Sequence, residues 1–192
     1  MENSNLRSEL ITQKNIKQAL ELQHAIFPRE DAEQNYFEAI EQNLNSDLPR
    51  KYQYEYFIVK DGEGEIIGLW GHYIEGDLDE CWLGWYGVRE DKRNHGYGTE
   101  IFRMFENWAK ENGFKVIRLY TDDIDNACAC KLYEKMGMTK ELYKNNDDVT
   151  TDIGNIVIYS KALTNEPLTL WNNRFLNYRG QREREHNKGK IK

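Results

Sequence analysis

The sequence predicts a mixed α/β fold, an α+β mixed sheet flanked by helices, and three observations carry that expectation. Two runs rich in β-branched and aromatic residues, 54–60 and 65–74, are joined by the turn-forming Asp61-Gly62-Glu63-Gly64 and read as a hairpin. The run from Cys81 to Val88 is apolar at nearly every position, as suits a central strand covered on both faces. Beyond it a glycine-bearing loop, an amphipathic helix, a short strand and a second helix follow in turn. That order makes the sheet mostly antiparallel, with parallel pairing expected only around the central strand.

Each element has its own local cause. Residues 13–27 place Ile16, Ala19, Leu20, Leu22, Ile26 and Phe27 at helical spacing, with Thr12 as N-cap and Pro28 as terminator. Residues 31–44 carry a second helix with Tyr36, Phe37, Ile40 and Leu44 on one side and Pro49 beyond its end. After the central strand, Ile101, Phe102, Phe105, Trp108 and Ala109 mark a helix that Asn112-Gly113 stops, because glycine takes the left-handed cap conformation without a steric penalty. Residues 115–120 read as a strand. Asp125 or Asn126 caps the next helix, whose apolar side holds Ala129, Leu132, Tyr133 and Met136 and whose stop is Gly137. Residues 139–143 and 153–160 complete the sheet. Leu168, Leu170, Trp171, Phe175, Leu176 and Tyr178 are spaced for a docked helix, and 179–192 reads as a solvated basic tail.

A chain of 192 residues, 39% of them hydrophobic, suffices for one substantial core but not comfortably for two. One domain over residues 1–163, followed by an extension over 164–192, is therefore expected. No run of about 20 apolar residues occurs, and the polar start lacks the charged-then-apolar order of a signal peptide. Three cysteines, an odd number, make a poor disulfide framework. These features point to a soluble cytoplasmic protein without a membrane partner. The net charge is -7, but residues 165–192 hold seven Lys/Arg against three Asp/Glu, which leaves -11 on the remainder. An acidic body disfavours nucleic acid, whose phosphates require Lys and Arg, and favours cationic partners or simply solubility.

The most informative segment is Arg93-Asn94-His95-Gly96-Tyr97-Gly98-Thr99, set between an apolar strand and an amphipathic helix. Its glycines permit close backbone approach, and the unpaired first-turn N–H groups of the following helix point outward as an anion cradle. The helix dipole adds about 0.3–1 kcal/mol of preference for negative charge, so a phosphate or pyrophosphate is the expected ligand. Arg89, Lys92 and Arg93 are expected to reinforce that field. A P-loop would need Gly-Lys-Ser/Thr after a longer gap, and a dinucleotide fingerprint needs a third glycine where Ile101 stands.

Arg93-x-x-Gly96-x-Gly98 behind a Val88-ended strand, followed by Asn126 and Leu132-Tyr133-Glu134-Lys135-Met136-Gly137-Met138, closely resembles the GNAT N-acetyltransferase superfamily. The resemblance runs from about Cys81 to Tyr143. It implies the GNAT fold, with splayed parallel strands 4 and 5, and acetyl-CoA as co-substrate. It also implies that backbone N–H groups from His95 to Thr99, with Arg93 and Asn94 leading in, hold the coenzyme A pyrophosphate. The pantetheine arm would then pair with Tyr86, Gly87 and Val88 and meet Asn126 from the other side. Tyr133 matches the family's helix tyrosine, which gives a proton to the departing thiolate; its other reading is a core tyrosine.

Acetyl transfer needs a neutral amine, so a general base must take the proton of an ammonium whose pKa is near ~10.4. Glu80, at the start of the central strand beside Trp82, is the first candidate, since a neighbouring indole desolvates a carboxylate. Some family members carry this carboxylate deeper in the strand, at a place matching Trp82. Glu75 and His72 are the second and third candidates. Cys128 and Cys130, two apart on a helix, point in different directions, and the four histidines show no paired spacing, so no metal is expected. The acceptor is expected to be a small-molecule or peptide amine, cationic by preference, entering over residues 27–31, the acidic turn 75–80 and the loop before Ile153. An alternative is a non-catalytic acyl-CoA-binding regulatory module. A further reading makes residues 168–178 a homodimer contact.

Overall fold

The computed structural model describes residues 5–45, 53–74, 79–124, 126–142 and 156–171. The chain divides between Ile117 and Arg118 into two compact units.

The first unit contains β1 (Arg7–Leu10), α1 (Ile16–Ile26), α2 (Glu33–Asn45), β2 (Glu55–Lys60), β3 (Ile66–Tyr73), β4 (Glu80–Val88) and α3 (Tyr97–Glu111). Its four strands lie in sequence order, each antiparallel to the next. On one face Ala19, Leu22 and Ile26 of α1 and Tyr36, Ala39 and Ile40 of α2 pack on Tyr56, Ile58 and Leu69. In α3, Ile101, Phe102, Phe105 and Ala109 are all fully buried, the apolar stripe that its sequence spacing predicts.

Several local expectations are corrected. Thr12 does not cap α1: its carbonyl accepts the amides of Asn15 and Ile16, and its own amide donates to Asn15 Oδ1 at 2.7 Å. This closed turn delays the helix to Ile16. Asp31 likewise ends outside α2, with Oδ1 accepting the Glu33 amide at 2.8 Å. Phe37 and Leu44 do not face the core, being 49% and 70% exposed; the buried stripe runs through Tyr36, Ala39 and Ile40 instead. The small side chain of Ala39 lets α2 approach the sheet on that line. β1 has no counterpart in the sequence reading, because Arg-Ser-Glu-Leu does not alternate and its side chains are mostly exposed. It is a short, charged edge strand that completes the open side of β2 from Arg7↔Lys60 to Leu10↔Phe57.

β4 is not covered uniformly. Its first four residues are buried, whereas Gly84 to Val88 are only half-buried. Opposite it, Leu69 pairs with Gly87 but Gly71 with Gly84, so β4 holds one residue more than β3 across this interval. This is a β-bulge at Trp85-Tyr86, and it bends the strand where its burial changes.

The second unit contains most of β5 (Val116–Asp122), then α4 (Ala127–Lys135), β6 (Thr139–Leu142) and β7 (Ile156–Ala162). The strands lie in the order β5, β7, β6, with β6 antiparallel to β7. Arg118 is fully buried in β5, and its guanidinium donates to Ser160 Oγ and, at 2.7 Å, to the Thr169 carbonyl. Residues 163–171 form no helix. Trp171 is nonetheless buried, and its amide donates to Glu141 Oε2 at 2.8 Å. Phe175, Leu176, Tyr178 and the basic tail lie outside the described residues. Among the described residues, no helix is long and apolar enough to cross a membrane.

Candidate active site

The loop from Arg93 to Gly96 enters α3 through two left-handed residues, Asn94 at φ +65° and Gly96 at φ +87°. A Cβ at Gly96 would meet nothing within 4 Å, so the space over the cap is open. Left-handed residues ahead of a helix turn successive N–H groups toward one point, the arrangement that receives phosphate oxygens. His95 sets the loop's shape: its Nδ1–H donates to the Arg93 carbonyl at 2.7 Å, which fixes the tautomer. Tyr86 ties the loop to β4, donating its hydroxyl to the Gly98 carbonyl at 2.6 Å. Tyr86, Gly87, Val88 and the 93–99 segment therefore form one local assembly.

The charge around this assembly differs from the sequence expectation. Arg89 is bound to Glu65 and Asp91, and Lys92 to Glu65, so two of the three expected cations are neutralised. Lys92, and after it Arg89, hold the Glu65 carboxyl below its usual range. Arg93 has no carboxylate partner among the described residues, and its Nε–H donates to the Val88 carbonyl at 3.1 Å. It is the cation left to face an anionic ligand.

The bulge beside the cradle contains a backbone outlier. Trp85 has a φ of +45°, a conformation that costs a bulky residue roughly 1–3 kcal/mol. Its Nε1–H donates to Asn35 Oδ1 on α2 at 3.2 Å, and its ring meets Phe27 at 5.5 Å, edge to face. Gly87 is obligatory for a different reason: a Cβ there would lie 2.5 Å from Ile26 Cγ2. Nothing in the sequence pattern marks Trp85, because an apolar run carries no record of register.

The candidate bases fall at different places. Glu80 is buried at the first residue of β4, about 26 Å along the strand from Val88 at the usual rise per residue, so strand length keeps it from the cradle. His72 is fully buried, 3.2 Å from Glu55 Oε2 and stacked on Trp108 at 3.8 Å between centroids. Sealed on the α3 side of the sheet, it is a core histidine. Glu75 lies outside the described residues, as do most of the acidic turn and the loop before Ile153.

In the second unit, Asn126 occupies the N-cap position of α4 without a side-chain capping bond, and Asp125 lies outside the described residues. Tyr133 is buried, its ring 5.3 Å from that of Tyr159. Burial, and next the Cys130 thiol, push its phenol well above the ordinary tyrosine value, so it holds its proton at neutral pH. The Tyr159 hydroxyl donates to Glu134 Oε1 at 3.1 Å. Cys128 is exposed and Cys130 buried, opposite sides of α4 as the C-x-C spacing requires.

The fourth strand of the sheet thus bulges and then leads into an open helix N-terminus, a geometry suited to phosphate oxygens. The chain belongs to the acetyltransferase (GNAT) family, whose profile matches residues 16–138. It is 34% identical over 88 residues to the probable N-acetyltransferase camello of Xenopus laevis, a match covering 45% of this chain and 39% of that protein. The chain thus spans well under half the length of that curated relative. Among solved structures, it resembles the ribosomal-protein-S18-alanine N-acetyltransferase of Escherichia coli with a TM-score of 0.65 at 16% identity, over 86% of this chain and 99% of the other. It also resembles the spermidine N-acetyltransferase of Vibrio cholerae, solved with CoA and spermine, with a TM-score of 0.63 at 12% identity, over 82% and 95% of the two chains. These likenesses establish the GNAT fold.

Proposed function

We propose that the chain is an acetyl-CoA-dependent N-acetyltransferase that transfers acetyl to a primary amine by direct attack in a ternary complex. The observation that carries the reading is the left-handed Gly96 cap over open space, anchored to β4 by Tyr86. That cradle suits the pyrophosphate of coenzyme A, and the Vibrio cholerae structure with CoA and spermine makes a cationic amine a reasonable acceptor. Acetyl-CoA would supply an acetyl group activated as a thioester.

In this reading the backbone N–H groups from His95 to Thr99, with Arg93 and Asn94, hold the pyrophosphate. Tyr86, Gly87 and Val88, half-buried at the end of β4, pair with the pantetheine arm, with Asn126 contributing a side-chain amide. Tyr133 is the proton donor, a role supported by burial that keeps the phenol protonated. Glu80 remains the carboxylate proposed to take the ammonium proton, and its place at the far end of β4 requires a chain of waters to relay that proton. Residues 1–163 form the catalytic domain and 164–192 an extension to it.

Calorimetric titration with acetyl-CoA, followed by assay of thiol release from pooled amines, tests the proposal. Tyr133→Phe is expected to lower kcat about 100-fold or more with acetyl-CoA affinity unchanged. Binding without thiol release from any pool would favour a non-catalytic acyl-CoA-binding module, and failure to bind would overturn the reading of the cradle.

A further inference from the structure

Trp85 adopts a conformation that β4 does not itself require. Its φ of +45° is one that side chains rarely take, and glycine would hold the same bulge without strain. The indole is fastened from the α1–α2 side, by Asn35 Oδ1 at 3.2 Å and by the Phe27 ring at 5.5 Å. Tyr86, the next residue, anchors the opposite side of the strand to Gly98. The bulge therefore assigns one aromatic residue to the coenzyme cradle and the other to the face bearing α1 and α2.

That face is shaped for rings. A Cβ at Gly71 would lie 2.0 Å from the Tyr56 ring, and one at Gly84 would lie 3.2 Å from the Tyr73 ring. The missing side chains let the aromatic rings lie flat against the sheet beside the bulge. Tyr54 packs edge-on to Tyr73 at 6.0 Å. Phe27, Tyr54, Tyr73 and Trp85 are all half-buried, so each keeps part of its surface available. Strained, bulky residues held by several independent contacts mark functional positions, because the surrounding structure must oppose their relaxation.

We infer that Trp85 is a specificity-determining residue on the acceptor side, selecting a primary amine whose amino group sits a few bonds from an aromatic ring. The inference rests on the acetyltransferase reading above. The ring of such an amine lies against the Trp85 and Phe27 wall, where offset or edge-to-face packing rewards aromatic over aliphatic bodies. Arylalkylamines and peptides with an aromatic amino-terminal residue share this chemistry.

Steady-state kinetics test it with phenethylamine against ethylamine, and with Phe-Gly-Gly against Gly-Gly-Gly. The wild type is expected to prefer the aromatic member of at least one pair by about tenfold or more in kcat/KM, the range that a buried apolar group confers. The pair that shows the preference identifies the source of the amine. Trp85→Gly relieves the left-handed φ, so loss of folding is not its expected effect. It should lower the ratio of kcat/KM for the aromatic amine to that for the aliphatic one about tenfold. Asn35→Ala, which frees the indole without removing it, should fall between. Equal kcat/KM for aromatic and aliphatic amines in the wild type, or an undiminished preference in Trp85→Gly, overturns the inference and leaves acetyl transfer standing. Absence of thiol release with every amine sinks the acetyltransferase reading and this inference with it.

Discussion

The hydroxyl of Tyr86 donates to the carbonyl of Gly98 at 2.6 Å, joining the bulged end of β4 to the first turn of α3. The bond fixes the loop that leads into α3 against the bulged strand. Tyr86→Phe keeps the ring against Phe102 and loses this bond. Acetyl-CoA affinity is expected to fall about fivefold, the equivalent of one hydrogen bond of about 1 kcal/mol. Calorimetry measures it, and an unchanged dissociation constant would show that the cradle holds its shape without the anchor.

Two glycines near the site should respond to alanine for different reasons. At Gly96 the added methyl meets open space, so the penalty is the left-handed backbone alone, about 1–2 kcal/mol. At Gly87 the methyl strikes Ile26 and the Phe27 ring, and overpacking of this kind costs about 1–3 kcal/mol while displacing the end of α1. Urea unfolding should show both losses. Gly96→Ala is expected to weaken acetyl-CoA binding as well, through the cradle's shape.

Buried phenols predict an alkaline limit to stability. Burial raises both Tyr36 and Tyr133 well above the ordinary value of 10. Above that pH the unfolded chain loses these protons while the folded chain retains them. The stabilisation is therefore fully present below the unfolded value and is lost as pH rises beyond it, by about 1.4 kcal/mol per pH unit for each tyrosine. Urea midpoints from about pH 9 to 11 measure the slope. Tyr36→Phe should flatten it and, since the Tyr36 hydroxyl has no partner among the described residues, should not destabilise the protein at neutral pH. An equally steep decline in the Tyr36→Phe/Tyr133→Phe double variant would refute the assignment.

The ion-pair cluster of Glu65 with Arg89 and Lys92 restrains the positive field beside the loop. Glu65→Gln should release Lys92, while Arg89 keeps its Asp91 partner, and tighten acetyl-CoA binding by a fewfold at low salt, an effect that high salt removes by screening. Affinity that is unchanged at low salt would mean that Lys92 does not reach the coenzyme.

The repeating elements were legible in the sequence because their causes are local. The α3 stripe at Ile101, Phe102, Phe105 and Ala109 and the stops at Gly113 and Gly137, both at positive φ, follow from spacing and from glycine's freedom. The glycine entry to α3 at Gly96 was legible for the same reason. What escaped depends on partners distant in sequence. β1 exists only because β2 has an open edge, and the orientation of α2 depends on which residues meet Tyr56. The pairing of Glu65 with Arg89 and Lys92 spans 24 and 27 residues and depends on the β3 register. The burial of His72 against Glu55 and the strain at Trp85 arise from the same cross-strand register, which no periodicity records.

The hold of Arg118 on Thr169, with that of Glu141 on Trp171, makes residues 163–171 a latch on the second unit. A protease that cuts between Thr169 and Trp171 must first withdraw a carbonyl from a buried guanidinium and an indole from its seat. Its rate of cleavage therefore times the opening of the second unit in the native protein. A fusion joined directly at Ala162 would carry the same defect permanently, with the Arg118 charge still inside and its carbonyl acceptor gone.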